Sequence, residues 1–311
     1  MQVRPKLRIG TRGSPLALAQ AHEVRDRLAK AHGWAVDDIA IDVIKTTGDR
    51  VLDRPLSEIG GKGLFTKEIE DALIAHDIDL AVHSMKDMQT ALPDGLMLGA
   101  TLPREDVRDA FISLAYSSLA DVPQGATVGS SSLRRQAQLL HARSDLNVIG
   151  FRGNVQTRLR KLEEGVAAAT FLAVAGLKRL GLQDRITAVI PVDVMLPAVA
   201  QGAIGIEIRA DDQATAQLIA PLDDKATGVC VAAERAFLKR LEGSCRTPIA
   251  GLAQLQDGRL SFRGQVLSPD GKVSYAAEQS GDPENAVALG IAAADDILAK
   301  ADPTIIARVH G

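Results

Sequence analysis

The chain switches repeatedly between two hydrophobic periods over about its first 200 residues, and few folds satisfy both. Leu7-Arg8-Ile9-Gly10 reads as a short strand, followed by Ser14 as a helix N-cap and Pro15 at the first helical position. Ala17, Ala21, Val24 and Leu28 give the ensuing helix one apolar face. Ile39, Ile41 and Val43 alternate as a strand, Phe65, Ile69 and Leu73 mark a helix face, and Ile78, Leu80 and Val82 alternate again. A second run repeats the theme, with strands at Thr127-Val128-Gly129 and near Leu146–Ile149 and helices through Leu133, Ala137 and Leu140 and through Val155, Leu159 and Leu162. This succession predicts an α/β fold, with ligands gathering where strands end.

After about residue 220 the grammar changes. A helix runs to Leu241, and short alternating segments then meet Asp257-Gly258 and Pro269-Asp270-Gly271 turns, which predicts an antiparallel sheet. Asp282 as N-cap, Pro283 after it, and Val287, Ile291, Ala294 and Leu298 on one face predict a closing helix. At 311 residues the chain suits two or three domains, read here as two α/β domains and a smaller α+β domain.

Composition narrows the function. No apolar run is long enough for a signal peptide or membrane span, so a cytoplasmic, soluble protein is expected. A net charge of −3 argues against general attraction to nucleic acid or anionic lipid. Any anionic ligand therefore needs a local cluster. Gly10-Thr11-Arg12-Gly13-Ser14 and Gly60-Gly61-Lys62-Gly63 could form anion-binding turns, but neither has the glycine spacing or Lys-Ser/Thr pair of a nucleotide loop.

Arginines recur at strand ends and helix starts: Arg12, Arg134 and Arg135 after Ser130-Ser131-Ser132, Arg152 before Gly153-Asn154, and Arg158 one turn later. A planar guanidinium engages a carboxylate through two parallel hydrogen bonds, although any one of these residues could equally sit on a solvated helix face. Asp87, just beyond the Ile78-Leu80-Val82 strand, could shuttle protons, stabilise a cation, or merely cap a turn. His83 lies in an apolar stretch and reads as structural. Cys230 shares a helical face with Ala233, Phe237 and Leu241 and reads as core. Cys245 follows Gly243, a plausible helix C-cap, and reads as an accessible loop thiol. Their spacing signals neither a disulfide framework nor a metal site.

Taken together, His83-Ser84-Met85-Lys86-Asp87, Ser131-Ser132-Leu133-Arg134-Arg135-Gln136, Leu172-Ala173-Val174-Ala175-Gly176-Leu177-Lys178-Arg179-Leu180 and Leu241-Glu242-Gly243-Ser244-Cys245 closely resemble the hydroxymethylbilane synthase (porphobilinogen deaminase) family in order and spacing. Gly60–Phe65, Arg152–Val155 and Leu196–Ala203 extend the resemblance over nearly the whole chain. It implies a transferase that condenses four porphobilinogen molecules head to tail and releases the linear tetrapyrrole with water. By the same resemblance, Cys245 carries a covalent dipyrromethane cofactor through a thioether, and no metal or nucleotide is required. Loss of ammonia from each aminomethylpyrrole leaves a cation, and Asp87 matches the aspartate that offsets it. Lys86, Ser131, Ser132, Arg134 and Arg135 match cofactor-holding positions. Arg12, Ser14, Phe65, Arg152, Arg158, Arg179 and Gln201 match the substrate and chain-binding set.

The implied architecture is three domains in a monomer. Residues 1–102 with 203–220 and residues 103–202 form two periplasmic-binding-protein-like α/β domains around a cleft, and residues 221–311 form an α+β domain carrying the cysteine. Met88-Gln89-Thr90 lacks the family's usual proline, and Ser244 stands where glycine is frequent, so loop geometry is the point at issue there. Two other classes remain for comparison. A solute-binding protein would share the fold, and a nucleic-acid module is disfavoured by acidity and scarce aromatics.

Overall fold

A computed structural model describes residues 5–50, 63–244, 247–303 and 305–306. In chain order, β1 (Leu7–Arg12) leads into α1 (Pro15–His32), β2 (Ile39–Ile44), α2 (Thr47–Arg50), α3 (Lys67–Ile74), β3 (Leu80–Ser84) and β4 (Leu96–Thr101). Then come β5 (Asp109–Ile112), β6 (Thr127–Gly129), α4 (Leu133–Ala142), β7 (Asn147–Ile149), α5 (Val155–Glu163), β8 (Ala169–Ala173), α6 (Val174–Arg179) and β9 (Ala188–Val189). The remainder is β10 (Ile204–Arg209), α7 (Gln213–Ile219), α8 (Lys225–Arg240), β11 (Ile249–Gln256), β12 (Arg259–Leu267), β13 (Ser274–Gly281) and α9 (Ala286–Lys300).

The chain divides into two compact units, the first drawn from Met1–Asp53, Gly60–Arg104 and Ala203–Gly228 and the second from the rest. The first unit holds a sheet ordered β2-β1-β3-β10-β4, in which β1 runs parallel to β2 and β3 while β10 runs antiparallel to β3 and β4. Ser14 caps α1 by accepting from Ala17 N–H at 3.3 Å, and Ala21, Val24 and Leu28 bury the predicted face on this sheet. Every residue of β10 is buried, as expected of a strand paired on both edges and covered on both faces. Gly205 on β10 lets Met85 close in, because a Cβ there would lie 2.0 Å from its sulfur.

The second unit contains two sheets. One is ordered β7-β6-β8-β5-β9, with β6 parallel to β7 and β8 and with β5 antiparallel to β8. Its plan repeats the first sheet: three parallel strands flanked by an antiparallel pair. The other is the antiparallel β11-β12-β13 sheet, whose β11–β12 turn is Asp257-Gly258 with φ of 50° and 75°, the left-handed pair that a two-residue hairpin requires. The fold class is thus α/β with a smaller sheet-and-helix portion near the C-terminus.

Three local expectations change. Phe65 precedes α3 rather than sharing its buried face, and it is half-exposed. Asp282 and Pro283 open a 3-10 turn, and α9 starts at Ala286. Val287 and Ile291 are exposed, while Ala286, Gly290, Ala293, Ala294 and Ile297 are buried. Small residues win the inner face because the backbones come close: a Cβ on Gly290 would lie 2.1 Å from the Ala233 carbonyl oxygen of α8.

Candidate active site

In the first unit, the carboxyl ends of β1 and β3 and the start of α3 enclose a pocket lined in part by Arg12, Ser14, Phe65, His83, Ser84 and Asp87. Arg12 is the last residue of β1, and Ser14 is committed to capping α1. The Arg12 guanidinium donates from Nε and Nη2 to the two Asp49 oxygens at 3.2 and 2.5 Å and lies 4.1 Å from the Phe65 ring centroid. Burial opposes the Asp49 charge, but Arg12 and Thr46 outweigh it and hold that carboxyl below its usual value.

Lys86 and Asp87 sit on a 3-10 turn directly after β3, closed by Met88 N–H on the Met85 carbonyl at 3.2 Å, so the turn forms without the missing proline. The Asp87 carboxylate is half-buried and, among the described residues, neither caps a turn nor meets a cation. A carboxylate so placed is available to offset a cation that arrives with a ligand. His83 has the structural partner expected of it: Nε2 meets buried Glu207 Oε2 at 3.0 Å. Nearby Glu70 is also buried, and desolvation, reinforced by the neighbouring Glu207 charge, raises its pKa.

In the second unit, Ser132 caps α4 and Ser131 Oγ accepts from Phe151 N–H at 2.8 Å. Arg134 and Arg135 turn inward from the first turn of α4 onto Asp109 at the start of β5, with Nη2–carboxylate distances of 2.7 and 2.8 Å. Their Nη1 groups donate to the Leu196 and Phe171 carbonyls, and Gln201 Nε2 adds a bond to Asp109 at 2.9 Å. Burial alone would raise the Asp109 pKa, but the two guanidiniums hold it far below the ordinary carboxylate range. Two buried cations share one anion, and the Nε–H groups of both arginines are buried without an acceptor. That donor surplus fits a carboxylate-bearing group.

Arg158 Nε bonds the Gly153 carbonyl at 2.9 Å, Arg179 Nη2 bonds the Gly202 carbonyl at 2.9 Å, and the Arg152 carbonyl accepts from Lys161. Cys230 is buried with Ala233, Phe237 and Leu241. Cys245 and the Gly60-Gly61-Lys62 segment lie outside the described residues. Beside them, the left-handed position after α8 is Glu242, with φ of 52°, rather than Gly243. Gly243 instead permits close packing, since a Cβ would lie 2.5 Å from Ile249 Cδ1.

Sequence reasoning passed over Asp49, Asp109 and Glu234. Asp109 follows a charged run and opens the apolar Ala110-Phe111-Ile112, a position where a carboxylate is buried and needs cations. Glu234, also buried, accepts from Ala200 N–H at 2.5 Å and Ala253 N–H at 2.8 Å, fixing Ala200 at φ 59° beside Gln201. No pattern within α8 marks Glu234, whose partners lie 34 and 19 residues away.

Fold and site together define an α/β protein with acidic and cationic side chains displayed at strand ends. Residues 7–217 match the family model described as porphobilinogen deaminase, dipyromethane cofactor binding domain, and residues 229–299 match porphobilinogen deaminase, C-terminal domain. The chain belongs to the porphobilinogen deaminase family, a family of transferases in tetrapyrrole biosynthesis. It is 62% identical over 295 residues to the porphobilinogen deaminase of Paracoccus denitrificans, covering 95% of this chain and 94% of that one. The chloroplastic porphobilinogen deaminase of Oryza sativa is 56% identical over 302 residues, covering 96% and 84%. A nutrient binding protein from Burkholderia cenocepacia bound to methionine superposes on 69% of this chain and 90% of its own, with a TM-score of 0.41 and 15% identity. A likeness at that level carries no conclusion about this chain. Among the described residues no helix is long and apolar enough to cross a membrane.

Proposed function

We propose that this protein condenses four porphobilinogen molecules head to tail on a dipyrromethane primer bound through a thioether to Cys245, then releases the linear tetrapyrrole by hydrolysis. The observation that carries the reading is the Asp87 carboxylate, half-buried in the pocket with Arg12 and without a cation of its own among the described residues. When bound, the dipyrromethane supplies the pyrrole carbon to which the first substrate unit is joined. Asp87 faces the cation left when the aminomethyl group loses ammonia, offsets its charge and accepts the ring proton. Lys86, Ser131, Ser132, Arg134 and Arg135 hold the cofactor. The buried charge surplus at Asp109 supports this role for the two arginines. Arg12, Ser14, Phe65, Arg152, Arg158, Arg179 and Gln201 orient the substrate and growing chain, whose acetates and propionates the guanidiniums neutralise. The protein acts as a cytoplasmic monomer of three domains, without nucleic-acid or membrane partners.

Intact mass tests this directly. Purified protein is expected to be heavier than its sequence by two linked pyrroles, with the adduct on a Cys245 peptide. Cys245→Ser removes it, and Cys230→Ala retains it at a stability cost of about 1 kcal/mol. An adduct on Cys230, or active protein with none, overturns the assignment.

A further inference from the structure

Arg12, which lines the pocket with Asp87, is held by a second carboxylate, Asp49, that the proposed reaction does not use. Asp49 is fixed from three sides. Buried Thr46 donates its hydroxyl to Asp49 Oδ2 at 2.7 Å, the Asp49 amide closes a turn on the Thr46 carbonyl at 3.1 Å, and Arg12 spans both carboxylate oxygens. The same turn carries Gly48, whose amide donates to the Leu64 carbonyl at 2.7 Å and whose missing side chain leaves room for Phe65, since a Cβ would lie 2.2 Å from Cε1. Asp49 therefore grips one edge of the Arg12 guanidinium while Phe65 lies against its face. Among the described residues nothing takes the Arg12 Nη1 group.

We propose that Asp49 is a positioning residue for substrate recognition: it clamps the Nε–Nη2 edge of Arg12 so that the Nη1 side is presented, already oriented, to a pyrrole carboxylate. The inference rests on the reading that Arg12 binds a substrate carboxylate. Its physical basis is preorganisation. A free arginine side chain loses rotamer entropy when it orders on a ligand, and a clamped one has lost it before binding. The Arg12 and Asp49 side chains keep 21% and 28% of their exposure, so the guanidinium is held yet still reachable. Clamping also has an electrostatic cost, because Asp49 repels the incoming carboxylate. The two effects act on substrate affinity with opposite signs, and that makes the role measurable.

The experiment is steady-state tetrapyrrole formation from porphobilinogen by Asp49→Asn and Thr46→Val, each first shown to be folded and to carry its pyrrole adduct. Positioning predicts a KM raised about tenfold in Asp49→Asn, a change larger than that in kcat, because one of two charge-assisted bonds to Arg12 is lost. Thr46→Val leaves the Asp49 charge in place and loosens only its orientation, so a smaller KM rise in the same direction is expected. A KM that falls in Asp49→Asn means that Asp49 is a competing anion, and an unchanged KM with a lowered melting temperature means that it is structural. Either result overturns the proposal. Parent protein that forms no tetrapyrrole defeats the functional reading itself, whereas an active parent confines any failure to Asp49.

Discussion

Asp87 separates charge from shape. Asp87→Asn keeps the side chain's size but neither offsets a cation nor accepts a proton, so turnover should fall by about 10² to 10⁴. A residue needed only for its shape would tolerate Asn, so near-parental activity in folded, adduct-bearing protein would remove Asp87 from the catalytic role. Its position was legible because it follows an alternating strand ending at Ser84. The carboxylates on the arginines were not legible. Asp49 and Arg12 are 37 residues apart and Asp109 and Arg134 are 25, separations that no local period reports.

Among the elements, α9 shows how a helix of small residues can mislead. Large aliphatics at Val287 and Ile291 suggest the buried face, yet Ala286, Gly290 and Ala293 face inward because α8 passes within contact of the backbone. Gly290→Ala is expected to destabilise by about 1–3 kcal/mol through overpacking against the Ala233 carbonyl. Helix propensity alone predicts a gain of about 1 kcal/mol. Urea unfolding decides between them, and a stabilised variant would show that the two helices can separate without loss.

For the molecule as a whole, the buried Asp109 cluster ties stability to pH. The folded-state pKa of Asp109 is depressed, so its contribution is fully present above the unfolded carboxylate value of about 3.9 and fades as pH falls below it. Asp109→Asn should lose about 3–5 kcal/mol at neutral pH by leaving buried guanidiniums uncompensated. It should also flatten the acid limb of the stability profile. Denaturant midpoints measured at several pH values test both, and a variant with parental stability and the parental acid limb rules out the ion cluster as the source.

By itself, the sequence determined the alternation of strands and helices that makes the chain α/β, the Ser14 cap, the Asp257-Gly258 hairpin and the core face of Cys230. Each depends on neighbours within a turn or two, where backbone geometry imposes a period of 3.6 or 2. Tertiary structure alone decided that β10 returns between β3 and β4, which side of α9 is buried, and which carboxylate each arginine meets. Those outcomes depend on how closely distant backbones approach and on the need of every buried charge for a partner, and both are settled only when the chain has packed.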